Sequence, residues 1–523
     1  MAMSTRKFVL GAVATVFIAI RWCVCADFAI PFESSQWTLP ETTLDRHVLE
    51  GLRAEGIEPS ASCSDSVFVR RVYLDIIGIP PEPEDVKAFL EDRSPGKRAL
   101  LIEDLMARDE FAEYRSLKWC DILRVKSEFP IKLWPNAVQA YHRWILESLR
   151  ENKPYDVFAR QMLTSSGSNF RVPQVNFYRA VQGRDASSMA SAAALTFMGT
   201  RLENMPGQAV SGMAAFFSKV AFKSTREWKE EIVYMKPSEA PVEAVFPDGR
   251  KVLIPADRDP RDVFADWLIT PENPWFARNI VNRIWSWLMG RGIIHEPDDI
   301  RQDNPPSNPE LLAYLEKELV NSGYDLNHIY RLILNSRTYQ QSSIPASNNP
   351  DAEKLFAYYP VRRLEAEVLL DMLCEIGGKG EEYVSPIPEP FTVIPEYRRN
   401  VLLADGSITG PFLELFGRPS RDTGRESERN NAISDAQHRY LLNSSDIQRR
   451  IRSSRKLRKI IANSRRGQDV LENIYLFMVS RYPAPEEIEA AGEYFRTEGI
   501  KKHEAVQDIV WSLINSKEFL YRH

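Results

Sequence analysis

Two groups of residues have the types and spacing that chemistry at a polar site requires. Arg278, Asn282 and Ser286 recur at i, i+4 and i+8 with Asn279 and Arg283 beside them, and a nearby loop carries Asp298, Asp299 and Asn304. On a helix that spacing lines the polar side chains along one stripe. Arginines facing carboxylates either hold an anion or polar ligand, or fix a helix–loop joint as a buried ion pair. The second group is the run from Arg418 to Arg429, in which Arg418, Arg421, Arg425 and Arg429 alternate with Asp422, Glu426 and Glu428. Fork-shaped guanidiniums suit carboxylate, sulfate or phosphate, while the interleaved acids allow self-neutralisation. The candidate binding residues are therefore Asn282, Arg283, Asp298, Asp299, Asn304, Arg418, Arg421 and Arg425.

Other constellations give less. Adjacent Asp298 and Asp299 project in different directions on most backbones, so they do not make the facing carboxylates of a glycosidase. A metal there would need Asp303 or Asn304 as further oxygen ligands. Arg362, Arg363, Glu365 and Glu367 read as ion pairs at a helix start, with Arg363 and Glu367 at i, i+4. The seven histidines, at 47, 142, 295, 328, 438, 503 and 523, have no zinc-hydrolase spacing. There is no G-x-S-x-G, P-loop or dinucleotide fingerprint. No metal site and no cofactor are expected.

The elements that must position these residues are mostly helical. Of 523 residues, 44% are hydrophobic and 27% charged, an ordinary globular composition. With 67 Lys+Arg against 72 Asp+Glu, no basic field favours nucleic acid. Ser94-Pro95, Asp259-Pro260, Asn273-Pro274 and Asn308-Pro309 each predict a helix start, with Gly290 and Gly323 as stops. Leu100, Leu101, Leu105 and Met106 form one predicted apolar stripe, and Val138, Tyr141, Trp144, Ile145 and Leu149 another. Val242–Phe246 and Lys251–Ile254 flank Pro247-Asp248-Gly249 and predict a hairpin. The fold class expected is predominantly α: two helical lobes with a short β-hairpin between them. The boundaries are 1–26 signal peptide, 27–59 extension, 60–236 first helical domain, 237–257 hairpin linker and 258–523 second helical domain.

The signal reading rests on basic Arg6 and Lys7, the uncharged run Phe8–Ile20, and Val24-Cys25-Ala26 before Asp27. Export to the periplasm or cell envelope follows, with no transmembrane segment in the mature chain. Cys63, Cys120 and Cys374 then remain, and at most one bridge among them can form. Ile333–Ser336, Leu441–Ser444 and Leu513–Ser516 share the ending Asn-Ser. There Asn is expected in a left-handed cap and Ser as the next N-cap.

The stretch Val69-Arg70-Arg71-Val72-Tyr73-Leu74-Asp75-Ile76-Ile77-Gly78-Ile79-Pro80-Pro81 resembles a known family. Asn282-Arg283-Ile284-Trp285, Asn304-Pro305-Pro306-Ser307, Arg362–Glu367 and Phe416-Gly417-Arg418-Pro419 extend the likeness. It is similar to exported proteins abundant in planctomycetes that pair two domains of unknown function, the first called planctomycete cytochrome-associated. Many relatives carry C-x-x-C-H near the end of that domain, which attaches haem through two thioethers. Here the corresponding stretch, Arg201–Gly207, has neither Cys nor His. The resemblance thus implies a non-haem binding or assembly protein of the envelope, with an anionic glycan or an envelope protein as partner. The second expectation is an enzyme acting on an anionic polysaccharide through an Arg/Asp site, which requires Arg283, Asp298, Arg418 and Arg421 to converge on one open cleft.

Overall fold

The computed structural model describes residues 32–34, 37, 39–205, 207–385, 387, 392, 394 and 398–523. The expected signal at 1–26 and most of the Pro386–Pro390 loop lie outside them. The protein is mainly α, with small antiparallel sheets. The predicted hairpin pairs Val242 with Ile254 and Val245 with Lys251. A separate three-stranded sheet, which the sequence did not announce, has Gly167–Ser168 and Val220–Ser224 flanking Glu231–Met235. Its turn puts Lys229, not a glycine, at φ 60°, so no turn signature marks it.

Local chemistry explains most helix bounds. Asp259 caps Pro260–Leu268 and Asn308 caps Pro309–Asn321, each accepting a backbone N–H, as expected. Two starts move inward. The helix after Ser94-Pro95 begins at Lys97, and Leu100 is exposed rather than part of the stripe, whereas Leu105 and Met106 are buried. Asn273 accepts from the amides of Trp275 and Phe276, so Phe276–Met289 starts after the predicted Pro274. The Asn-Ser endings need a correction as well. Ser336, Ser444 and Ser516 accept from the amide three residues on. Asn335, Asn443 and Asn515 are not left-handed, however; each side chain donates to the carbonyl four residues back.

Hydrophobic packing does not divide at 237–257. One core draws on residues from Leu44 to Tyr359, with Ala404 and Leu476 added, and includes residues on both sides of the hairpin. The reason is aromatic: Phe246 of the hairpin packs on Phe216 before it and Trp267 after it, with ring centroids 4.8 and 5.1 Å apart. A second core spans Leu364 to Tyr521 and takes in Leu74, Tyr114 and Leu117 from the N-terminal third. The hairpin is thus part of a core wall, and the two cores meet near residue 360.

A buried polar network stitches this joint. Arg362 and Arg363 form a strand against Tyr521–Arg522. Asp75 takes Arg362 at 2.9 Å and Arg522 at 2.7 Å, and its other oxygen accepts from the hydroxyls of Tyr339 and Tyr359. Glu365 takes Lys118 and Arg522. The expected Arg363–Glu367 pair does not form, because Arg363 lies in the strand and donates to the carbonyls of Leu364, Phe416 and Asn430.

Candidate functional site

On the Phe276–Met289 helix Asn279, Asn282 and Arg283 face inward, whereas Arg278, paired with Glu316 at 2.7 Å, and Ser286 are half-buried. Arg283 donates to Asn279 Oδ1 (2.9 Å), to Leu195 O (2.9 Å), to Glu426 Oε1 (3.0 Å) and to Asp298 Oδ1 (2.6 Å). Asp298 is fully buried, and its second oxygen accepts from the Glu426 amide at 2.6 Å. Burial opposes the charge on Arg283, but Asp298 and Glu426 outweigh it and raise the guanidinium pKa. Asn282 exchanges two 2.9 Å bonds with the backbone of Ile294. Asn279 donates to Thr196 O, and Ile300 N to Gly199 O. Gly199 sits at φ 61°, and a Cβ there would come within 2.5 Å of Asn279 Oδ1. Together these bonds hold the 195–205 segment over the helix.

The neighbouring candidates point elsewhere. Asp299 faces outward to Arg301 and Asn204. Asn304 donates to the carbonyls of His295 and Asp299, shaping its loop. Arg418 is buried on Glu367 and on the carbonyls of Leu403, Asp405 and Ile408. Arg421 is buried on Asp121 at 2.8 Å. Arg429 bridges Asp121 and Glu367, 2.7 Å from each. The Arg418–Arg429 run does not neutralise itself. Its arginines reach outside it, Glu426 serves Arg283, Asp422 pairs with Lys126, and Glu428 accepts from Ser420 and three backbone amides. Only Arg425 of the four stands open, 2.8 Å from Glu203. Arg283, Asp298, Arg418 and Arg421 therefore do not converge on an open cleft. They are closed ion pairs within the protein.

The open space lies on either side of the 200–205 segment. On one side, Arg124, Arg201, Arg425, Ser187, Ser191 and Thr423 line a cavity of about 410 Å³. On the other, Trp275, Arg278, Gln302 and Asn304 line one of about 610 Å³ that also touches Asn204 and Met205. Arg124 was missed in the sequence. The available signal was a lone charge within the apolar run Ile122-Leu123-Arg124-Val125. Its residue is 3% exposed, its Nε donates to Ala180 O, and its Nη2 has no partner. Burial brings its guanidinium down to about 10, against small opposing effects of Tyr141 and Glu428.

A further cavity of about 390 Å³ opens where the cores meet, between Gly78–Glu82 and Asp371, Cys374 and Arg399. The quoted Gly78-Ile79-Pro80-Pro81 motif forms one wall. Asp371 accepts from the amide and side chain of Asn400, both at 2.7 Å. Burial still pushes its carboxyl up to about 6, against Arg399 and the amides of Asn400 and Val401. Its folded pKa thus exceeds an unfolded value of about 3.9, so its contribution is fully present below pH ~4 and lost as pH rises through 6. Asp371→Asn is expected to remove a loss of about 2 kcal/mol between pH 4 and 7; urea titrations of both proteins at several pH values check this, and parallel curves would disprove it. Among the described residues the three cysteines are free, and no cluster of three or more metal-ligating side chains occurs.

Comparison with known proteins gives two family matches. Residues 43–213 match PSCyt2, a protein of unknown function (DUF1549), and residues 260–495 match PSD1, a protein of unknown function (DUF1553). The first match begins at the Thr43–Ala54 helix, within the stretch read from the sequence as an extension. No curated protein and no solved structure matches the chain. The cavity walls at Gly78–Glu82 and Arg124 come from the first match, and those at Asp371 and Arg425 from the second. The chain belongs to the proteins that join a DUF1549 domain to a DUF1553 domain, in that order.

Proposed function

We propose that this is an exported, non-haem binding protein of the cell envelope and that its ligand is an anionic glycan. One observation carries the reading. The arginines and carboxylates that an Arg/Asp enzyme would use are consumed by one another, while the adjacent open cavity is walled by Arg124, Arg201 and Arg425 with hydroxyls between them. Guanidiniums in a partly enclosed site favour anions electrostatically, and serine and threonine hydroxyls suit a polyol. Export is supported by the basic start, the apolar run and the small residues before Asp27. Among the described residues no helix is long and apolar enough to cross a membrane.

The test is an array of acidic and neutral polysaccharides probed with the protein at two salt concentrations. Retention on acidic glycans only, weakening as salt rises, is the expected result. Indifference to every acidic glycan, with a specific envelope protein captured instead, would replace the glycan by a protein partner. Turnover of an acidic polysaccharide that survives Asp298→Asn and Asp299→Asn together would sink both readings.

A further inference from the structure

Three arginines and three carboxylates line the cavity beside the 200–205 segment, but they are not matched to one another. Three carboxylates line it, and each is engaged. Asp185 caps a helix through Ser188, Glu203 holds Arg425, and Asp422 holds Lys126. Glu428, close to Arg124, is saturated by Ser420 and the amides of 422–424. Arg124 and Arg201 are left over. Neither makes an ion pair among the described residues, and each has a buried nitrogen without a hydrogen-bond partner, Nη2 of Arg124 and Nε of Arg201. Gly424 lets the facing loop close on Arg124, since a Cβ there would lie 2.7 Å from Nη1. The guanidinium is thus clamped in place with no carboxylate at ion-pair distance. A buried cation is normally paired, and leaving one unpaired is costly.

We propose that Arg124 and Arg201 form the seat of a tetrahedral oxoanion, a sulfate or phosphate group carried as an ester on a small polar body. Two guanidinium forks call for more acceptor oxygens than one carboxylate has, and the three terminal oxygens of a sulfate or phosphate ester can take both. The cavity, about 410 Å³, has the size of a small-ligand pocket and is far larger than an oxoanion alone. Ser187, Ser191 and Thr423 on its wall offer hydroxyls to the remainder of the ligand. This rests on the binding reading above and names the group recognised within it.

Titration calorimetry at constant ionic strength would use inorganic sulfate, inorganic phosphate, a sugar sulfate monoester, a sugar phosphate monoester and acetate as probes. Sulfate or phosphate should bind and acetate should not, with the matching monoester tighter than the free ion. Arg201→Gln, at the half-buried position, should weaken binding at least tenfold, and Arg124→Gln should do the same if the variant folds. The two inorganic arms and the two ester arms tell sulfate from phosphate. Affinity equal to that for acetate, or unchanged in Arg201→Gln, overturns the proposal. Acidic glycan retention that survives Arg201→Gln would overturn it while leaving the glycan reading intact. Oxoanion binding lost in Arg201→Gln without any glycan retention would do the reverse.

Discussion

Glu367→Gln should cost the protein about 3–5 kcal/mol, the usual penalty for breaking a buried ion pair from one side. Glu367 is fully buried, and its two oxygens take Arg429 at 2.7 Å and Arg418 at 3.2 Å. Burial by itself would raise its carboxyl. Arg429, its hydrogen bonds and Arg418 outweigh that and hold it down at about 2. After substitution Arg429 keeps Asp121, but Arg418 retains only carbonyl oxygens. The pH dependence gives an independent check. The folded pKa lies below an unfolded value of about 4.3. The contribution is therefore present above pH ~4.3 and lost as pH falls toward 2, about 3 kcal/mol in all. Urea midpoints across pH 2–7 should show that loss in the parent and not in the variant. Glu367→Leu combined with Arg418→Met should recover part of the stability, since removing one charge of each sign leaves the balance of the cluster as it was. A double variant as unstable as Glu367→Leu alone would contradict this account.

Arg522→Met is expected to be nearly as damaging, again about 3–5 kcal/mol. Arg522 is buried with Nε 2.7 Å from Asp75 and Nη2 2.6 Å from Glu365, and it also reaches Leu74 O. Its loss leaves Asp75 to Arg362 and the two tyrosines, and Glu365 to Lys118 and Tyr114. Arg425→Gln is the comparison, because its pair with Glu203 is exposed on both sides. A surface pair of that kind contributes about 0–1 kcal/mol. Equal denaturation midpoints for the two variants would show that the Asp75–Arg522–Glu365 network does not tie the cores together.

What could be read from the sequence was local. Asp259 and Asn308 announce helices because a cap and a proline act within one turn, and Phe246-Pro247-Asp248-Gly249 announces a hairpin for the same reason. The Asn-Ser endings were half legible: the serine role is local and held, whereas Asn335 and its counterparts chose the carbonyl four residues back. The ion-pair partners were not legible. Asp121 and Arg421 are 300 positions apart, and Asn279–Arg283 gives no hint that Glu426 completes the network. The candidate list therefore gathered arginines by proximity in sequence, and the fold buried three of its four. Arg124 escaped notice because what sets it apart is the lack of an ion pair, a property only three dimensions define.

The joint near residue 360 also governs when the fold can form. Arg522 meets Leu74 across a separation of 448 positions, and Arg70 meets Ser480 across 410. A ribosome adding residues in order makes Asp75 and the helices around it long before Arg362 and Arg522, which neutralise it, exist. Until then that carboxylate has no cationic partner, and the Leu74–Tyr114–Leu117 face has nothing to pack on. Contacts of such span close slowly and late, after their loop entropy has been overcome. The half-synthesised chain thus lacks the contacts that close its second core until its last residues are made.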